Sequence, residues 1–289
     1  MKALKYSKID DIIFIDIETV RGEKSLVKDS NTYHAWDYKT RYENEGKSNI
    51  VSSLEKSYQD KAALYAEFGK IICISVGRLI LKSDNTYEVV IKDYFSHDEK
   101  ELLADFTSGL NKVCHAKPQS FLFGHAIKGF DMPYIFRRCI INGIIPNNLF
   151  DMSDIKPWEA TAKDTMELWK NGAFYSASML AISNAMGLPS PKNDISGSEV
   201  SDIYWGSEDG LDRVVRYCRR DVLTLINIYL KLMFKEPIIL DEIYNIPEEV
   251  KAKEIKVVVK RTRGTTKKPA PKKRVKILPK VTKTIKTKI

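Results

Sequence analysis

The run Ile12-Ile13-Phe14-Ile15-Asp16-Ile17-Glu18 sets two acids into one of the most apolar stretches of the chain. A segment so rich in β-branched residues reads as a buried strand over Ile12 to Ile17. Side chains alternate across a strand, so Phe14, Asp16 and Glu18 share one face while Ile13, Ile15 and Ile17 share the other. Two like charges a few ångströms apart repel, and burying them unpaired is costly. Such a pair needs a shared proton or a bound cation, and oxygen-only ligands favour a hard ion, Mg2+ or Mn2+. The plainer alternative leaves Glu18 just past the strand end in solvent, with Thr19 beginning a turn.

At 289 residues and 43% hydrophobic content the chain can build one large or two small soluble domains. Its longest apolar stretch, Ile71 to Leu81, is interrupted by Arg78, so neither export nor membrane insertion is expected and the location is read as cytoplasmic. Cys73, Cys114, Cys139 and Cys218 form no C-x-x-C pair and sit in apolar surroundings, as reduced core thiols do. The net charge of +9 is unevenly divided: residues 251–289 hold 13 Lys and 3 Arg against the single acid Glu254, a surplus of +15, which leaves −6 for residues 1–250. The basic segment mixes Lys, Thr and Pro with few large side chains and reads as a disordered tail. It is either a solubilising extension or an arm for nucleic acid phosphates, and its pairing with an acidic body favours the arm.

Residues 1–250 read as one domain of α/β class. Strands are expected at Ile12–Ile17, Lys70–Leu81, Tyr87–Phe95 and Ser120–Gly124, and helices at Asp98–Cys114 (with Ser96 as cap), Met132–Asn142, Ala177–Met186 and Leu211–Phe234. Strands in succession followed by strand–helix alternation predict a mixed sheet with helices packed on its faces. Residues 21–69 form a polar, Tyr-rich insertion, helical around Leu54 to Glu67.

Two further acids stand out. Asp131 follows a strand and a Gly-containing turn, immediately before a helix; it suits an N-cap, and the carboxyl end of a strand is also where open α/β sheets place active sites. Asp221 interrupts the otherwise apolar helical stripe Val214, Tyr217, Leu225, Ile228, and a buried carboxylate there needs a partner, such as a metal shared with Asp16.

The order D-x-E in a first strand, G-F-D at a helix start and Y-x-x-x-D in a late helix resembles the DEDD superfamily of 3′→5′ exonucleases in its tyrosine branch. YAEFGKIICISVG, GHAIKGFDMPY, KPWE, DTMELWK, GLPSPKNDISGSEV and YCRRDV look like the predicted exonucleases related to the proofreading domain of family B DNA polymerases, over roughly residues 10 to 235. The resemblance implies a ribonuclease-H-like fold in which Asp16, Glu18, Asp131 and Asp221 gather two divalent cations, Mg2+ or Mn2+. It also implies that Tyr217 orients the attacking water and that nucleoside monophosphates leave from 3′ ends.

Other residues carry weaker expectations. In this reading Glu18 lies near the terminal 3′-hydroxyl, and Thr19 is a candidate substrate contact. Phe130 could stack on the terminal base or anchor its helix, His125 suits a hydrogen-bonded structural role better than a base, and Lys192 could touch phosphate or stay solvated. Asp164 is a helix cap or an acid supporting the site. Where relatives usually carry Gly-His-Asn, this chain has Gly124-His125-Ala126, so an amide is missing. The expected substrate is single-stranded DNA at its 3′ end, with short RNA as alternative and any polymerase acting in trans. A different class is a nucleic-acid-binding module of the same fold with weak or lost turnover.

Overall fold

The computed structural model of the chain describes residues 8–44, 53–83, 86–156, 161–188, 195–238 and 254–260. In chain order the elements are β1 (Ile12–Arg21), α1 (Asn31–Asn44), α2 (Leu54–Lys61), β2 (Gly69–Leu81), β3 (Thr86–Phe95), α3 (Glu99–Ala116), β4 (Phe121–Gly124), α4 (Asp131–Ile141), β5 (Ala162–Asp164), α5 (Thr165–Lys170), α6 (Met179–Ala185), α7 (Val200–Gly206), α8 (Gly210–Leu232) and β6 (Glu254–Lys260). The strands form one mixed sheet in the order β5-β4-β1-β2-β3-β6. β1, β2, β3 and β6 pair antiparallel in that order, whereas β4 and β5 run parallel to β1. This is the mixed α/β sheet expected from the sequence, with β5 and β6 added to the four strands read there. The carboxyl ends of β4 and β5 therefore lie beside the middle of β1, level with Ile15 and Asp16.

The alternation read in β1 holds in space. Phe14 packs with Val222, Leu225 and Tyr229 of α8 on one face, while Ile13, Ile15 and Ile17 pack with Phe106 of α3 and Met132 and Ile135 of α4 on the other. Helices thus cover both faces. β1 continues through Arg21, so Glu18 lies within the strand and is buried rather than beyond its end. A register shift between Glu18 and Thr19 marks a bulge directly after the acid pair.

Several boundaries differ from expectation, each for a local reason. The cap of α3 is Asp98, whose carboxylate accepts from the N–H groups of Lys100 and Glu101; Ser96 accepts from the Asp98 N–H instead. Asp131 is the first helical residue of α4, preceded by Phe130 at the cap position, so its carboxylate is not the cap of the helix. Helix α1 has no strong sequence signal because only Trp36 and Thr40 of its described side chains are buried, a stripe too thin to register. Trp36 nonetheless centres a separate small core with Leu26, Tyr58 and Ala62. Glu254–Lys260, inside the segment expected to be disordered, forms β6 on the edge of β3. The β-branched run Ile255-Lys256-Val257-Val258-Val259-Lys260, with lysines at positions 256 and 260, suits an edge strand. Residues 261–289 lie outside the described residues.

Helix α8 is locked onto the sheet by a buried ion pair. Arg219 Nε donates to Asp93 Oδ2 at 2.8 Å, and the Ser75 hydroxyl donates to Asp93 Oδ1 at 2.7 Å, tying α8 to β3 and β2. Asp93 and Arg219 are 2% and 7% exposed. Arg219→Met leaves Asp93 buried without its partner and is expected to lower unfolding free energy by about 3–5 kcal/mol in urea titrations. Adding Asp93→Asn should recover part of that loss; a single variant as stable as wild type would show that the pair does not hold α8.

Candidate active site

Beside the middle of β1, where β4 ends, the structure brings together Asp16, Glu18, Asp131, Tyr217 and Asp221, drawn from β1, α4 and α8. Strand alternation aims Asp16 and Glu18 toward α8, where Asp221 and Tyr217 stand one turn apart. Asp131 arrives from the turn after β4, because β4 runs parallel to β1 and ends level with Ile15 and Asp16. Glu18, Asp131 and Asp221 are buried, while Asp16 keeps part of its surface open to solvent.

Four carboxylates in so small a volume repel. Burial first, and then the charges of Asp221, Glu18 and Asp131, hold the Asp16 carboxyl well above the ordinary carboxylate range. Burial, followed by Asp221 and Asp131, does the same to Glu18. Burial raises Asp131 to about 7, with Asp164 adding to the rise and the backbone N–H groups of Asp131 and Ile17 opposing it. Asp221 is likewise pushed by burial to about 7, against a hydrogen bond from Tyr217 and the nearby Arg220 cation. Tyr217 is half-buried, and burial together with Asp221, Glu18 and Asp16 drives its hydroxyl well above the usual phenol value, so it stays neutral. Asp16, Glu18 and Cys218 present ligand atoms within 4.8 Å of one another.

Cys218 has a more specific place than the core-thiol reading implied. Its Sγ–H points at the backbone oxygen of Asp16, 3.4 Å away, and at Asp16 Oδ2, 3.6 Å away. Burial beside Cys73 and these carboxylates keeps the thiol protonated, so it serves Asp16 as a donor. The signal was available: Cys218 lies on the buried side of α8 between Tyr217 and Asp221, but thiols of that kind are common in cores. All four cysteines are unpaired, as expected.

The turn after β4 depends on Asp164, at the end of β5. Its carboxylate caps α5 through the Met166 N–H at 2.9 Å and also accepts from the Ala126 N–H at 2.9 Å. The cap and supporting roles therefore coexist. Ala126 has φ +54, a left-handed conformation that asparagine enters more readily than alanine. His125 Nδ1 lies 2.8 Å from the Thr165 hydroxyl, and its ring also donates to the Ala177 backbone. Burial lowers its pKa, which fits the structural role expected of it.

Of the remaining expected contact residues, Phe130 and Thr19 adjoin this centre in the chain, next to Asp131 and Glu18. Phe130, beside Asp131, is half-buried and packs against Tyr134 with ring centroids 5.3 Å apart, anchoring α4 while leaving part of its ring exposed. The Thr19 hydroxyl donates to the Ala63 carbonyl at 2.9 Å, toward the insertion. Lys192 lies outside the described residues.

The raised pKa values of these acids make stability depend on pH. Unfolded, Asp131 and Asp221 ionise near their ordinary value, about 4; folded, each does so at about 7. The folded state holds more protons between those limits, so cation-free stability falls as pH rises through that window and is lowest above it. The melting temperature in EDTA is expected to be lower at pH 8 than at pH 5, and millimolar Mg2+ or Mn2+ should remove most of the difference at pH 8. Melting indifferent to both pH and cation would contradict this electrostatic picture.

A family described as "Predicted 3'-5' exonuclease related to the exonuclease domain of PolB" matches residues 61–266. The match includes Asp131, Tyr217 and Asp221 but begins after Asp16 and Glu18. It also runs through β6 into the basic segment, whereas the sequence resemblance was expected to end near residue 235. No curated protein matches the sequence. Among solved structures, the family B DNA polymerase from the hyperthermophilic archaeon Pyrobaculum calidifontis is similar at a TM-score of 0.48 and 15% identity, covering 77% of this chain and 24% of the polymerase chain. This chain thus spans about a quarter of that polymerase's length. With well over half of its residues matched, the chain belongs to the family of predicted 3′-5′ exonucleases related to the exonuclease domain of PolB.

Proposed function

We propose that the protein is a divalent-cation-dependent 3′→5′ exonuclease that releases nucleoside monophosphates from single-stranded nucleic acid, with DNA favoured over short RNA. The observation that carries this reading is the convergence of four carboxylates from three elements, with Tyr217 hydrogen-bonded to one of them. The electrostatic influences on Asp16 and Glu18 come from other carboxylates rather than from a basic partner. Such a set is chemically incomplete without positive charge, and its all-oxygen donors fit a hard cation. Asp16, Glu18, Asp131 and Asp221 would hold two Mg2+ or Mn2+ ions, which would supply Lewis acidity and offset the charge of the scissile phosphate.

The protein's own groups do the positioning. In the hydrolysis, water adds its oxygen to phosphorus as the bond to the 3′ oxygen of the preceding nucleotide breaks, leaving a shortened strand with a 3′-hydroxyl and a free 5′-monophosphate. Tyr217, neutral throughout the working range, orients the attacking water by hydrogen bonding and does not take its proton. Cys218 fixes the carboxylate of Asp16, and Asp164 fixes the turn that carries Asp131. The exposed part of the Phe130 ring, next to Asp131, suits contact with the terminal base. Thr19, His125 and Lys192 have less support: the first two are engaged within the protein, and the third lies outside the described residues.

Ala126 favours a second reading. It offers a methyl group where relatives carry an amide, and a nucleic-acid-binding module with lost turnover would bind strands without releasing mononucleotide. The two readings separate in a nuclease assay on single-stranded DNA and RNA labelled at the 3′ or the 5′ end. Release of 3′-terminal mononucleotide with Mg2+ or Mn2+ and none with EDTA is expected. Asp16→Asn should lower turnover to about one-thousandth of wild type or less while remaining folded. Undiminished turnover in that variant would remove Asp16 from the site.

The basic segment joins the body through β6, whose last residue, Lys260, pairs with Thr86 at the end of the sheet away from the acids. A truncation meant to test it should begin after Lys260, since deleting from residue 251 would also uncover the edge of β3. Removing residues 261–289 is expected to weaken oligonucleotide binding mainly at low salt and to flatten the slope of log affinity against log salt. An unchanged slope would make the segment a solubilising extension.

A further inference from the structure

The segment from α5 to α6 displays its large side chains to solvent. Phe174 is 103% exposed and Tyr175 72%, so neither ring contributes appreciably to the core. Trp169 on α5 and Leu180 on α6 flank them, also exposed. Hydrophobic burial does not account for Phe174 and Tyr175, and two adjacent exposed rings point to contact with something outside the fold.

The connection holding these rings has defined geometry. Asn171 and Gly172 take left-handed conformations, with φ +42 and +88, to reverse the chain after α5. The Asn171 N–H donates to the Glu167 carbonyl at 3.1 Å and the Ala173 N–H to the Lys170 carbonyl at 2.7 Å. On the far side Ser178 caps α6, accepting from the Ala181 N–H. The rings thus project from a turn secured on both sides.

The location is equally specific. The segment starts at Asp164, which holds the Ala126 N–H in the turn leading to Asp131, and two residues past Tyr175 the backbone of Ala177 receives the ring of His125. The aromatic pair is therefore tied to the part of the sheet where the acids converge. Lys170, exposed, stands four residues before Phe174, while Glu167 is occupied by Lys128.

We propose that Phe174 and Tyr175 form a stacking platform for the bases of a single-stranded nucleic acid, with Lys170 beside it for a phosphate. The proposal rests on the exonuclease reading above and extends it: a strand whose 3′ end reaches the acids has its remaining nucleotides on the 5′ side, and the platform receives those. Exposed rings with an adjacent cation suit this ligand because every base has a π-face, so stacking grips the strand with little regard to sequence. The aliphatic patch formed by Ile140, Ile141 and Ile145 offers no such faces.

The test uses the full chain carrying Phe174→Ala and Tyr175→Ala together. Melting temperature should not change, since the rings bury little. Anisotropy with fluorescent single-stranded oligonucleotides, in EDTA so that no turnover intervenes, should report a dissociation constant raised about 5-fold or more. The salt slope should stay as in wild type, because no phosphate contact is lost. With Mg2+ or Mn2+ present, KM should rise while kcat is unchanged. Phe174→Trp should keep wild-type affinity, and its fluorescence should fall on addition of the oligonucleotide. Wild-type affinity in the double alanine variant would overturn the proposal, as would changed self-association with unchanged oligonucleotide binding. Failure of the exonuclease reading would look different: wild type would release no mononucleotide, while the anisotropy series would still decide whether the platform binds strands.

Discussion

Mutual repulsion among Asp16, Glu18, Asp131 and Asp221 is the constraint around which the rest of this structure is arranged. No fold places four carboxylates in partly buried contact for stability, and each raised pKa reflects a folding cost. Surrounding structure must oppose it. The opposition comes from the two hydrophobic layers on either side of β1 and from the Arg219–Asp93 pair, which seats α8 so that Asp221 faces Asp16. An apolar strand carrying two acids is stable because its other residues are packed so completely.

Support around the acids is built from polar groups that do several jobs. Asp164 caps a helix, clamps the Ala126 turn and acts electrostatically on Asp131. Cys218 spends its proton on Asp16, and Tyr217 spends its proton on Asp221. Each interaction fixes a carboxylate in one orientation, which is what a site needs if its ligand atoms are to meet a cation without reorganisation. His125, neutral and engaged on both sides, ties the same turn to α5 and to the aromatic segment after it. The turn, the aromatic segment and the acids thus form one connected unit at the carboxyl ends of β4 and β5, beside the middle of β1.

Legibility of these features in the sequence varied with the range of the forces behind them. Strands β1 to β4 were readable because their β-branched and apolar runs are local, and the long helix α8 because its apolar stripe runs over several turns; β5, three residues long, is too short to carry such a pattern. Asp16, Glu18 and Asp221 stood out as charges inside apolar patterns. Helix α1 left no comparable trace, since Trp36 packs into a small core assembled from separate segments between residues 26 and 68 rather than along a stripe of its own helix. β6 was hidden by composition: lysines dominate its neighbourhood, and only the exposed edge of β3 makes its short β-branched run a strand. The cap of α3 was misplaced by two residues because Ser96 and Asp98 both suit that role, and only backbone geometry selects between them.

By itself the sequence determined the alternating core, the α/β class and the presence of carboxylates where only a partner could make them tolerable, because these follow from periodicity and from the cost of burying charge. Whether those carboxylates belong to one site was beyond it. That was decided by the parallel pairing of β4 with β1 and by the seating of α8, which bring positions 16, 131 and 221 together beside the middle of β1. Convergence of residues so far apart in the chain arises from packing between elements, and no local property of any one of them encodes it.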